Sequence, residues 1–150
     1  MGEIVSESED ITVMDMEASI EHLSRGTVRH VDALLVVTEP YYRSLETARR
    51  TVPLARGLGI DRIFAIANKL RSAEDEQAVK DFCANHDLEI IAAIPFDQSV
   101  TKADLLGRSL IDFNPDSSVV AEVTKLAASL RQQVRGNGSS APKTLTKPNC

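Results

Sequence analysis

Four short apolar runs, separated by longer stretches, constrain the fold of this 150-residue chain more than any other feature. The runs are ITVMD (11–15), DALLVVTE (32–39), RIFAIAN (62–68) and LEIIAAIP (88–95). They are nearly continuous in Val, Ile, Leu and Ala, which is typical of parallel strands covered on both faces. The pattern predicts an α/β fold, doubly wound around a mainly parallel sheet with helices on both faces.

Helical periodicity fills the segments that follow the last three of these strands. Apolar residues recur every three or four positions over 44–59, 73–86 and 117–134. Pro53 lies inside the first of these segments and should kink or weaken one turn. We therefore expect strands and helices to alternate through right-handed crossovers.

The composition favours a globular protein and disfavours several other classes. Hydrophobic residues make up 43% of the chain and charged residues 26%. A net charge of −5, with 4% aromatic residues and no Trp, argues against a nucleic-acid partner. No apolar run approaches the roughly 18 residues of a membrane span, and the acidic N-terminus does not resemble a secretory signal.

Three regions follow from the composition along the chain. We expect an acidic, flexible lead at 1–10, one α/β domain at 11–134, and a disordered tail at 135–150 that is rich in Gly, Ser and Pro. Cys83 and Cys150 lie far apart and form no disulfide framework, so a cytoplasmic location is expected.

Polar residues follow each predicted strand. In open parallel sheets, ligands bind at the carboxyl ends of the strands. These ends carry Asp15 and Glu17, then Thr38 and Glu39, then Asn68 and Lys69, and finally Pro95, Phe96 and Asp97. The sequence thus predicts that a nucleotide lies along one edge of the sheet.

These segments also resemble the deviant phosphate-loop ATPases. The similar segments, in order, are VMDMEASIEHLSRGT (13–27), VDALLVVTEPYYRSLETA (31–48), GIDRIFAIANK (59–69) and AAIPFDQSVTKADLLGRSLIDFNP (92–115). The family includes the nitrogenase iron protein and the septum-placement and plasmid-partition ATPases. The resemblance is closest to the accessory ATPases that help insert nickel into carbon monoxide dehydrogenase.

The resemblance implies roles for individual residues. Asp15 matches the acid that ends the Walker B strand and holds Mg²⁺ through a water, and Ala18 matches the small residue whose backbone N–H senses the γ-phosphate. Asn68 matches the residue that pairs with the adenine edge, with Lys69 beside it. The loop that packs on the base corresponds to Pro95, Phe96 and Asp97. ATP or ADP with Mg²⁺ are the implied cofactors.

One part of the family pattern is absent from the sequence. None of the seven glycines is followed by lysine, so the phosphate loop Gly-x-x-x-x-Gly-Lys-Ser/Thr does not occur. The chain looks like the C-terminal half of an ATP-hydrolysing accessory protein for a metalloenzyme client, one that closes as a homodimer around two nucleotides. Without the loop we expect weak nucleotide binding and no catalytic competence.

Other interpretations remain. The chain could be a non-catalytic interaction module that pairs with an intact paralogue through the open edge of the strand at 11–15. A phosphoacceptor receiver domain fits less well, because Asn68 stands where an acceptor Asp is needed. Cys83 lies on an apolar helix face and His22 has no second histidine at ligand spacing, so neither supports metal delivery.

Overall fold

The computed structural model describes residues 11–16 and 31–136, with side chains as far as residue 132. Its elements, in chain order, are β1 (Leu34–Thr38), α1 (Tyr42–Gly57), β2 (Ile63–Leu70), α2 (Ala73–Ala84), β3 (Glu89–Pro95), α3 (Gln98–Leu105), α4 (Leu110–Phe113) and α5 (Ser118–Gly136). The predictions for the acidic lead, for Glu17, Ala18 and His22, and for residues 137–150 of the tail lie outside the described residues.

The three strands form one parallel sheet in the order β1-β2-β3. Leu34 of β1 is in register with Ile63 of β2, and Ala65 of β2 is in register with Ile90 of β3. Helices α1 and α2 connect the strands, as the alternating pattern predicted. The α/β fold class with a parallel sheet is therefore confirmed.

The predicted strand at 11–15 is wrong. Residues 11–16 have no regular secondary structure, and Val13 is 83% exposed. Only Met16 of this segment packs against the core. An extended segment becomes a strand when a neighbour pairs with its backbone, and no backbone hydrogen bond joins 11–16 to β1 within the described part of the chain.

One face of the sheet packs against α1 and α2 and forms the main core. Side chains alternate across the sheet, so Val36, Ala65 and Ala67 all point to this face. The buried members of the core are Val36, Ala48, Val52, Ala55, Ile60, Ile63, Ala65, Ala67, Val79, Cys83 and Leu88. Cys83 is buried in this core, as its place on an apolar helix face predicted, and that burial raises the pKa of the thiol.

The second face is covered only in part. Ile66 of β2 and Ile94 of β3 are buried but lie outside the main core, and α5 contacts β3. At β1, by contrast, Val37 is 57% exposed. The prediction that every strand is covered on both faces therefore fails at Val37 of β1, and the helix that packs most on β1 is α1, which lies on the first face.

Two short helices after β3 were not predicted. Asp97 caps α3 by accepting the backbone N–H of Ser99 at 2.7 Å, and Ser109 caps α4 by accepting the N–H of Asp112 at 3.2 Å. Pro53 lies inside α1 without ending it. Within the described residues, no helix is both long and apolar enough to cross a membrane.

Candidate nucleotide site

The carboxyl ends of the three strands meet at one polar edge of the sheet. At the end of β1, the buried Thr38 places its hydroxyl 3.1 Å from that of Ser44, at the start of α1. The same Ser44 hydroxyl accepts the backbone N–H of Glu39 at 2.9 Å. This small network fixes the direction in which the chain leaves β1 and therefore the position of the Glu39 carboxylate.

The end of β2 adopts an uncommon backbone conformation. Lys69 has a φ of 58°, in the left-handed region that non-glycine residues rarely adopt. Two contacts accompany this conformation. The Lys69 N–H donates to Asn68 Oδ1 at 3.0 Å, and Lys69 Nζ lies 2.6 Å from Glu39 Oε1. Such conformations cost on the order of 1 kcal/mol and cluster at ligand sites.

These contacts also define what Asn68 can offer a ligand. Its side-chain oxygen already accepts a hydrogen bond from Lys69, and its amide nitrogen remains a donor. The side chain is half-buried at the end of β2. The Lys69–Glu39 ion pair is itself partly exposed, so it contributes less than about 1 kcal/mol to stability, and its main effect is on geometry.

The end of β3 is joined to the end of β2 by the backbone. Phe96 donates its N–H to the carbonyl of Leu70 at 2.8 Å, beyond an irregularity in the register between Ala67 and Leu70. That irregularity accommodates the left-handed turn at Lys69. The loop Pro95–Asp97 therefore lies beside the Asn68–Lys69 turn, as the order of the strand ends predicted.

Asp97 is fully engaged within the fold. Its Oδ1 accepts the Ser99 N–H at 2.7 Å, and its Oδ2 accepts the hydroxyl of the buried Ser117 at 2.6 Å. These bonds, the one from Ser117 foremost, hold the pKa of the Asp97 carboxyl below its usual range. Asp97 thus ties the end of β3 to the start of α5 and positions the loop.

Sequence reasoning missed one residue of this edge. The guanidinium carbon of Arg71 lies 3.8 Å from the centre of the Phe96 ring, and Phe96 is 38% exposed. The backbone N–H of Arg71 donates to the Asp75 carboxylate at 2.9 Å, which anchors the residue at the start of α2. The only sequence signal was a basic residue three positions after Asn68 and two after Lys69.

Asp15, the predicted Mg²⁺ residue, lies outside this network of contacts. It lies exposed in the irregular segment 11–16, and no hydrogen bond or ion pair links it to another described residue. Its free carboxylate is the kind of oxygen ligand that Mg²⁺ prefers, so the residue type fits the predicted role. In the described residues, no group of three or more His, Cys, Asp and Glu side chains could hold a metal ion.

Two other features lie apart from this edge. A groove of about 470 Å³ runs between α2, β3 and α5, is lined mainly by apolar residues, and includes none of the predicted site residues. His86 donates from Nδ1 to the carbonyl of Phe82 at 2.8 Å and stacks on its ring, so it closes the end of α2 as a cap.

Comparison with known proteins gives a consistent family. No protein-family model matches the chain. An uncharacterized ATP-binding protein of Methanocaldococcus jannaschii is 37% identical over 124 residues, which are 82% of this chain and 47% of the relative. The carbon monoxide dehydrogenase accessory protein CooC of Rhodospirillum rubrum is 44% identical over 112 residues, 75% of this chain and 42% of that protein. The chain thus spans about half the length of the curated relatives it matches.

Solved structures agree with the fold. A ParA family ATPase from Chlorobium tepidum TLS has a TM-score of 0.59 at 25% identity, covering 69% of this chain and 43% of that one. The septum site-determining protein MinD of Pyrococcus horikoshii, solved with Mg-ADP, has a TM-score of 0.56 at 22% identity, covering 73% of this chain and 45% of that one. The chain belongs to the phosphate-loop ATPase superfamily that includes CooC, MinD and ParA.

Proposed function

We propose that this chain carries the base-binding part of the nucleotide site of an ATP-binding accessory protein. The observation that carries the proposal is the Asn68–Lys69 turn, in which the left-handed Lys69 pairs with Glu39 beside the Pro95–Asp97 loop. The polar edge is where open parallel sheets bind ligands. Similarity to ATP-binding relatives and to a fold solved with Mg-ADP supports a nucleotide as the ligand.

Each residue of the edge then has a task. The Asn68 amide pairs with the edge of adenine, and Lys69 keeps that amide oriented through its backbone N–H. The Pro95–Phe96 segment packs beside the base. Asp97 holds this segment in place by its bonds to Ser99 and Ser117.

The phosphate side of the site is proposed from the resemblance. Asp15 would hold Mg²⁺ through a water, and the backbone N–H of Ala18 would approach the γ-phosphate. When bound, Mg²⁺ neutralises phosphate charge. The 150 residues contain no Gly-Lys dipeptide and so no loop to grip the β- and γ-phosphates. We therefore expect this chain to bind ATP or ADP weakly and not to hydrolyse ATP.

The wider role is proposed from the 44% sequence identity to CooC. We propose that the protein serves maturation of a metalloenzyme, by inserting the metal cofactor of a carbon monoxide dehydrogenase, and that it works in the cytoplasm. Two copies would pair around two nucleotides, and pairing with an intact paralogue would add the phosphate loop that this sequence lacks. No nucleic-acid partner is expected from a chain with a net charge of −5.

Replacing Asn68 by Ala tests the base site. Equilibrium dialysis with labelled ATP and Mg²⁺ should detect weak binding to the original chain, without turnover. Asn68→Ala should weaken that binding about tenfold, because hydrogen bonds to a base edge are worth roughly 1–2 kcal/mol. Asn85→Ala, at the exposed end of α2, is the matched control and should bind like the original chain.

Two outcomes would contradict the proposal. Tight binding with turnover by the 150-residue chain would refute the expected incompetence. Absence of binding, or equal binding by the Asn68→Ala variant, would refute the base site.

The exposed side of β1 favours a second candidate function, an interaction module. Val37 is 57% exposed, and within the described residues no strand pairs with the outer edge of β1. Such edges can add a strand from another chain. Edge pairing between copies would appear in size-exclusion chromatography as a concentration-dependent dimer. A well-folded monomer at all concentrations would count against this function.

A further inference from the structure

The guanidinium of Arg71 occupies an unusual place at the polar edge. Its guanidinium carbon lies 3.8 Å from the centre of the Phe96 ring, which is within stacking distance. Two other arginines approach phenylalanine rings at the longer distances of 5.9 and 5.8 Å, Arg62 over Phe64 and Arg108 over Phe113. Of these three contacts among the described residues, the one at Arg71 is the shortest.

The stacked guanidinium keeps its hydrogen-bonding capacity. Among the described residues it makes no hydrogen bond and no ion pair. Exposed arginines on α1 differ in this respect, because Arg49 and Arg50 both donate to the Glu46 carboxylate. Arg71 therefore presents an exposed, planar and cationic group whose N–H donors no described residue accepts.

This surface is also fixed in position. The backbone of Arg71 is anchored by Asp75, and the backbone of Phe96 is held by the bond from its N–H to the Leu70 carbonyl. Leu70 and Arg71 directly follow the Asn68–Lys69 turn. A stacking surface and a hydrogen-bonding amide thus lie within three residues of each other on one edge.

The contact changes the role that Phe96 can have. A ring face covered by a guanidinium at 3.8 Å has no room for a base on the same side. Bases stack readily on arginine planes, which combine a flat surface with a positive charge. The ring then supports the guanidinium, and the guanidinium meets the base.

We propose that Arg71 is the base-stacking residue of the nucleotide site, with the purine on the outer face of its guanidinium and Phe96 beneath. The inference rests on the proposed function, since it names how that same site holds the base. It assigns Arg71 a binding role and makes Phe96 a positioning residue.

Titration of the 150-residue chain with adenosine and with ADP, followed by NMR, tests this assignment. Arg71→Ala should weaken both ligands by roughly fivefold or more, since stacking on a base contributes about that much. Arg71→Lys keeps the charge but loses the plane, and should weaken both by about threefold. The matched control Arg50→Lys, on the exposed face of α1, should leave both affinities unchanged.

The outcomes separate the two proposals. If the original chain binds neither ligand at millimolar concentration, the base site and the stacking role both fail. If it binds both and the Arg71 variants bind as well as it does, the stacking role is wrong while the base site stands. If only ADP binding weakens, Arg71 contacts phosphate instead, and stacking is overturned. Unchanged circular dichroism shows that the variants fold.

Discussion

Strands β1 and β2 have the same kind of apolar sequence but are buried differently. In β2, the neighbours Ala65 and Ile66 point to opposite faces and are 0% and 5% exposed. In β1, the neighbours Val36 and Val37 also point to opposite faces, yet they are 8% and 57% exposed. An apolar run identifies a strand, but the helices that pack on the sheet decide which of its faces are covered.

The two faces are also held by different interactions. Helices α1 and α2 join the first face through a continuous apolar core. Helix α5 has no fully buried side chain among residues 118–132, and its start is tied to β3 by the bond between Ser117 and Asp97. Packing on the first face should therefore be weakened most by substitutions that remove buried side-chain volume. Packing on the second face should be weakened most by loss of the hydrogen bond between Ser117 and Asp97.

The largest effect is expected from paired substitutions in β1. Val36→Ala removes two buried methyl groups and should lower the free energy of unfolding by about 2 kcal/mol. Val37→Ala changes a mostly exposed side chain of the same type and should lower it by only about 0.5 kcal/mol. Urea denaturation followed by circular dichroism measures both values.

The same pair of variants reveals whether the second face is open in solution. Equal losses for the two variants would mean that Val37 is covered there, for example by a second copy. In that event the loss at Val37 should grow with protein concentration, because association stabilises the folded state by mass action.

A smaller effect is expected from acid. The pKa of Asp97 is lowered in the folded protein by its bonds to Ser117 and Ser99, so protonation disfavours the fold. This contribution is complete above the ordinary carboxyl pKa of about 3.9 and is lost as the pH falls through the lowered value. The protection factors of the amides in the first turn of α5 should therefore fall at low pH, before those in β2 do.

Two variants control the acid experiment. Asp97→Asn should already show fast exchange at the start of α5 near neutral pH and should lose the acid-dependent step. Glu46→Gln alters a carboxyl whose pKa Arg49 and Arg50 lower to about 2, and its effect should be confined to α1. An acid response at α5 that persists in Asp97→Asn would show that Asp97 is not its cause.

Much of the fold was predictable from local pattern. Apolar runs and helical periodicities depend on near neighbours in the chain. They predicted the three described strands, their parallel direction, the three long helices and the burial of Cys83. The meeting of Asn68 and Lys69 with the Pro95–Asp97 loop was also predictable, because parallel strands place their carboxyl ends at one edge. The irregular structure of segment 11–15 was not predictable, since a strand forms only where a neighbouring strand pairs with its backbone, and composition does not specify that neighbour.

The sequence alone determined the α/β class, the polar strand ends and the resemblance to the phosphate-loop ATPases, because all three reside in the order and spacing of residue types. Only the tertiary structure decided that Val37 is exposed, that the left-handed Lys69 pairs with Glu39, and that Arg71 lies on Phe96. Each of these depends on which distant segments come into contact. Such contacts are set by packing and backbone pairing across the whole sheet, and no local pattern encodes them.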